Sequence, residues 1–199
     1  GSGALLLVHH GLFWDGNQPV TGRRYRRVRS LFDQDAALYS AHIPLDVHPD
    51  VGNNAVLGRA LKLTDTAPFG NHKGVPIGVA GKIPGASPNR SDLMRELAGI
   101  LALEPSAVRL LPGGPERISR IGVITGGAGS AIGQAKDAGC DTFITGEGAA
   151  HTYFDAMEWG VNVIYAGHYA TETVGVRALT EHLGLRFDLL SKRYVNDFE

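Results

Sequence analysis

The chain has 199 residues, 43% of them hydrophobic, and 19 basic against 20 acidic side chains leave a formal net charge of −1. Such a length and apolar content suit one ordinary domain or two small interlocked lobes with a sizeable core. Near-neutral charge excludes the global field that selects nucleic acid or an anionic membrane, and the single cysteine, Cys140, excludes an internal disulfide.

Gly1-Ser2-Gly3 reads as a linker, and the chain then enters a strand pattern at once, so native residues are expected upstream. Leu5–Val8 predicts a buried strand running into His9-His10-Gly11; the apolar run is too short to span a bilayer and lacks a signal peptide's basic flank. No membrane association is expected, and with Cys140 read as a buried thiol the expected compartment is cytoplasmic. A helix follows over Gly22–Asp33, with Tyr25, Val28 and Phe32 on its apolar face and five arginines on the rest, a solvated face by default. Ala36–His42 predicts a strand stopped by Pro44, and Asn53 or Asn54 is suited to cap a helix reaching about Leu61. Prolines and glycines between Pro68 and Gly85 leave one short strand, Val75–Ile83, and Ser91 caps a helix towards Leu101. From Arg117 regular α/β units appear: strand Ile118–Ile124, helix Ser130–Ala138, strand Thr142–Thr145, helix His151–Trp159, strand Val161–Tyr165, helix Thr173–Leu183. Two or more parallel strands with right-handed crossovers are expected there.

The two ends of the chain carry a weak duplication. Ala41-His42-Ile43-Pro44-Leu45-Asp46 matches Gly167-His168-Tyr169-Ala170-Thr171-Glu172, each half bearing His-x3-carboxylate, while His9-His10 falls opposite Gly146-Glu147. Pseudo-symmetric copies would bring both His-x3-carboxylate turns towards one centre. Three imidazoles and two carboxylates from His9, His10, Asp46, His168 and Glu172 are a ligand set suited to zinc, iron or manganese, and all five sit at predicted strand ends, where α/β sheets bind ligands. Adjacent His9 and His10 would point to opposite faces of an ideal strand, which fits two ions better than one. His168 and Glu172 share a face if one helix contains both, or lie in a strand-to-helix turn if Thr171 or Thr173 is the cap. Alternatively, Glu172 simply favours the positive end of a helix and Asp46 a turn after Pro44. His42 is a plausible partner behind Asp46, while His72, His151 and His182 have no such support. Gly126-Gly127-Ala128-Gly129-Ser130 lacks the phosphate-loop lysine and reads as a tight turn.

The blocks LLLVHHGLFW (5–14), HIPLDVHPDVGNNA (42–55), TGGAGS (125–130), TGE (145–147) and AGHYATE (166–172) together resemble the Nif-three-like dinuclear metal centre family, also called GTP cyclohydrolase 1 type 2. The resemblance covers nearly the whole chain and implies the same five ligands, two divalent ions per chain, and two intertwined, pseudo-repeated α/β lobes with mixed sheets and the metal site between them. The lobes are expected at 1–112 and 113–199, the C-terminal segment packing back on the first, and the implied assembly is a homohexamer.

Two ions bring four positive charges against two carboxylates, a cationic centre that attracts phosphate groups. Metal-assisted hydrolysis is the expected reaction class. The resemblance implies GTP, or another small phosphorylated molecule, as substrate, with Glu147 and His42 as candidates for proton transfer. The alternative is a non-catalytic metal-containing scaffold or regulatory interaction protein. A nucleic-acid partner is not expected.

Overall fold

The computed structural model describes residues 3–188; Gly1 and Ser2 of the expected linker, and residues 189–199 of the expected second lobe, lie outside the described residues. The chain opens with strand β1 (Ala4–Val8), helix α1 (Gly22–Asp33) and strand β2 (Ala36–Ser40). β1 and β2 pair in parallel, Ala4 opposite Ala36 through Val8 opposite Ser40, as a two-stranded sheet. The expected burial of β1 is corrected here: Leu5 is 54% and Leu6 38% exposed, because a sheet of two strands offers little surface to cover them.

β2 ends before His42 because the chain turns into a short helix, α2 (Ile43–Val47), with Pro44 in its first turn. There a missing backbone N–H disturbs no intrahelical bond. Asp46 therefore sits on a helix rather than in a loop. Helix α3 (Asn53–Ala60) is preceded by Gly52 as its cap residue, so neither Asn53 nor Asn54 caps it; both are buried. Strands β3 (Thr64–His72) and β4 (Val75–Lys82) form an antiparallel pair of which only β4 was expected. Helix α4 (Arg90–Leu101) is capped by Asn89, whose side chain accepts from the Asp92 amide at 2.8 Å, two residues ahead of the predicted Ser91.

A short strand, β5 (Arg109–Pro112), precedes the regular units β6 (Arg120–Val123), α5 (Ile132–Asp137), β7 (Thr142–Thr145), α6 (Thr152–Trp159), β8 (Asn162–Tyr165) and α7 (His168–Phe187). Helix α7 starts well before the predicted Thr173, with Gly167 as its cap residue at φ +85°. Neither Thr171 nor Thr173 caps it.

The second sheet has the order β3-β4-β6-β7-β8-β5, with β6, β7 and β8 mutually parallel and the outer pairings antiparallel. The fold is thus mixed α/β, and its larger sheet draws strands from both sides of residue 112. Within β7 and β8, neighbouring residues bury in opposite directions. Ile144 and Ile164 join Leu57, Leu93 and Leu97 from α3 and α4, while Phe143 and Val163 join Ile132 and Ala156 from α5 and α6. Helices on both faces explain why adjacent residues, Phe143 and Ile144 in β7 and Val163 and Ile164 in β8, are both apolar and buried instead of alternating. Each fully buried aliphatic side chain contributes roughly 1.5–3 kcal/mol of transfer free energy, and this packing holds the parallel strand ends in place. No helix among the described residues is long and apolar enough to cross a membrane.

Candidate metal centre

β1 runs directly into His9 and His10, and the loops after β6, β7 and β8 supply Thr125-Gly126-Gly127, Gly146-Glu147 and Gly167-His168. All leave their strands at the carboxyl ends, where an α/β sheet opens a crevice. Helix α2 adds Asp46 and the first turns of α7 add His168 and Glu172, which share a helix face at i, i+4.

These groups meet. His9 Nε2 lies 3.5 Å from Asp46 Oδ2 and 3.6 Å from Glu172 Oε1. His10 Nε2 lies 3.3 Å and His168 Nε2 3.2 Å from the other oxygen, Glu172 Oε2. His9, His10, His42 and Glu172 each offer one ligand atom, all within 4.8 Å of one another. His42 thus stands within the cluster itself, its ring 4.8 Å from that of His9 and 5.0 Å from that of His10.

His9 is the informative residue. Only 7% exposed, it leaves both ring nitrogens buried with no partner at full hydrogen-bond geometry, the Ala41 backbone acting on the ring only weakly against the cost of burial. An unsatisfied buried nitrogen costs about 1–3 kcal/mol, so the pocket is built for something other than a protein hydrogen bond. Its separations from the carboxylates exceed the ordinary range of about 2.7–3.2 Å. They match two ligand atoms each about 2.1 Å from one ion at a tetrahedral angle, which stand roughly 3.4 Å apart. The donor set therefore fits a divalent metal.

Protonation states agree with that chemistry. Burial, reinforced by His42 and His10, lowers His9 to about 4, and burial with His42 and His168 also lowers His10. Both imidazoles are neutral near pH 7, with a lone pair to give. Burial raises Glu172 to about 7, His168 opposing the rise and Asp46 adding to it; burial also raises Asp46 against its hydrogen bonds. For His168, burial alone would lower the imidazole, but the Glu147 hydrogen bond and the Glu172 charge outweigh it and the net shift is upward.

Around this cluster lies a second layer of polar contacts. His168 Nδ1–H donates to Glu147 Oε1 at 2.8 Å, and Glu147 is exposed. Asp46 Oδ1 accepts from Asn53 Nδ2 at 2.9 Å and from Thr125 Oγ1 at 3.4 Å. Asn54 Nδ2 donates to the carbonyls of Asp46 and Ile77, and its Oδ1 accepts from the Thr125 amide at 2.8 Å. Sequence reasoning assigned Asn53 and Asn54 only a capping role. Two adjacent amides after a glycine, beside a predicted ligand, were the available signal. Gly126 has φ +75°, and a Cβ there would come within 2.2 Å of Glu172 Oε1. The glycine loop is a tight turn, as expected, and the Glu172 carboxylate leaves no room for a side chain at Gly126.

A cavity of about 330 Å³ opens onto the cluster, lined by His10, His42, Asp46, His168, Glu172 and Gln134 among others. His72 also lines it, although nothing in the sequence singled that histidine out. His151 and His182 lie outside the cluster.

Residues 2–194 match the model of the Duf34/NIF3 (NGG1p interacting factor 3) family. The chain is 48% identical over 192 residues to the GTP cyclohydrolase 1 type 2 homolog of Deinococcus radiodurans, covering 94% of this chain and 70% of that protein. To the protein of the same description from Halobacterium salinarum it is 45% identical over 175 residues, covering 88% and 69%. Among solved structures, TTHA1606 from Thermus thermophilus superposes with a TM-score of 0.81 at 35% identity, covering 97% of this chain and 76% of that one.

Proposed function

Because the chain belongs to the Duf34/NIF3 family, we propose that it is a metal-dependent hydrolase holding two divalent ions and acting on GTP or another small phosphorylated molecule. The orphaned, buried His9 imidazole carries this reading. The division of Glu172 supports two ions rather than one: Oε1 faces His9 beside Asp46, and Oε2 faces His10 and His168. His9, His10, Asp46, His168 and Glu172 would hold them, with zinc, iron and manganese the candidates.

Divalent ions bound there supply a Lewis acid and bring the ionisation of water towards neutral pH. The chain's own groups handle orientation and protons. Glu147 accepts the Nδ1 proton of His168 and so turns the Nε2 lone pair towards Glu172. Being exposed, the Glu147 carboxylate is also suited to pass a proton between the cavity and solvent. His42, its ring against His9, His10 and Trp14, is the second proton-transfer candidate. The GTP assignment draws on the relatives' description as GTP cyclohydrolase 1 type 2 homologs.

A homohexamer is the proposed assembly; exposed Leu5, Phe32 and Tyr39 support burial against other copies. The family's description as an interacting factor favours a second reading, a metal-containing scaffold. Turnover separates the two. Metal-loaded chain is expected to hydrolyse GTP or a model phosphoester, with His10→Ala and Glu172→Ala losing both metal and activity. Retained metal with no turnover across a nucleotide panel favours the scaffold.

A further inference from the structure

The two carboxylates of the cluster come from different elements, Asp46 from α2 and Glu172 from α7. One buried side chain hydrogen-bonds to both elements. Asn53, fully buried at the start of α3, donates from Nδ2 to Asp46 Oδ1 at 2.9 Å and accepts at Oδ1 from the Gly175 amide at 2.8 Å. Gly175 lies on the same helix face as Glu172, three residues on. The amide's orientation is chemically fixed: a backbone N–H can only donate and an ionised carboxylate can only accept, so Asn53 cannot flip without losing both partners.

Two further observations sharpen this picture. A Cβ at Gly175 would stand 2.6 Å from Asn53 Oδ1 and 2.9 Å from the Asn53 backbone nitrogen, so α7 approaches α3 this closely only because the position is glycine. Asp46 also divides its oxygens: Oδ1 is taken up by Asn53 and Thr125, while Oδ2 faces His9. With one oxygen tied, the other is aimed.

The geometry points to Asn53 as a positioning residue that clamps Asp46 to the Glu172-bearing turn of α7 and thereby sets the separation of the two carboxylate ligands. This inference rests on the metal reading above. In a buried amide a broken bond is not replaced by water, so loss of either half of the clamp lets one ligand drift from the other. Gly175 belongs to the clamp although it carries no side chain, and substituting it pushes on the Asn53 amide, and through it on Asp46, from the α7 side.

Cobalt(II) tests the clamp, because its d–d absorption reports ligand number and geometry independently of turnover. The full chain, stripped of metal, is titrated with Co²⁺ alongside Asn53→Ala, Gly175→Ala and, as a control for general loosening of α3, Val56→Ala, a half-buried position on the same helix. Expected are a shifted absorption envelope and roughly 10- to 100-fold weaker Co²⁺ affinity in both clamp variants, with the control keeping the parent spectrum. Should Asn53→Ala fail to fold, Gly175→Ala alone decides. A parent-like spectrum and affinity in the clamp variants, or the same change in Val56→Ala, overturns the clamp while leaving the metal site standing. Failure of the unaltered chain to take up Co²⁺ overturns the metal reading, and the clamp with it.

Discussion

Glu172 stands between three imidazoles, and its protonation is the residue-scale quantity most open to measurement. Burial raises its carboxyl to about 7 in the metal-free chain, so below that pH a proton occupies the group that an ion needs. His168, also shifted upward, competes in the same sense, whereas His9 and His10 are lowered and already neutral. The sign is therefore fixed: divalent-metal affinity rises with pH through about 7, by up to roughly tenfold per unit for each proton displaced. Calorimetric titration between pH 6 and 8 checks it, and a flat profile contradicts it. The five proposed ligands stand out in the sequence because imidazole and carboxylate are chemically conspicuous at strand ends. Asn53 and Asn54 were not, since an amide near a helix start reads first as a cap, and only the structure shows Gly52 in that place and both amides turned inward.

At the scale of elements, the loop after β6 is shaped by the cluster beneath it. Gly126→Ala would place a methyl in the left-handed region, a cost of about 1–2 kcal/mol, and drive it into the Glu172 carboxylate. Thermal denaturation is expected to show that loss, and metal titration an affinity at least about tenfold weaker, equivalent to about 1.4 kcal/mol; an unchanged affinity would mean that Glu172 does not need its present position. Cys140 makes a contrasting case. It is buried against the sheet, and burial raises its thiol to about 11, so a disulfide reagent at pH 8 should leave the native chain unmodified and label it once in urea. Prompt labelling of native protein would show the packing there to be open. Both unpredicted strands are sheet edges. β3 contains Pro68 and Gly70, and β5 ends at Pro112; an edge strand tolerates proline because one row of its amides needs no ladder partner, so the residues that normally argue against a strand carried no warning. Helix α7 was started late for a related reason. Gly167 takes a positive φ that a single glycine in a strand-to-helix junction does not advertise, and His168 and Glu172 therefore fall in one helix.

For the molecule as a whole, the alternation of strand and helix from Arg117 onward made the parallel core β6-β7-β8 legible, since those strands are covered on both faces and carry adjacent apolar residues at their centres. The convergence of residues 9, 10, 46, 168 and 172 was legible only through the internal match and the family resemblance. No local pattern states that the end of β1 faces the end of β8. The most direct test of the metal centre is elemental analysis of the purified chain, alone and as Glu172→Ala. Two divalent ions per chain are expected in the parent and a loss of bound metal in the variant. A folded parent chain that stays metal-free after incubation with zinc, iron and manganese would contradict it, as would a variant that keeps full content.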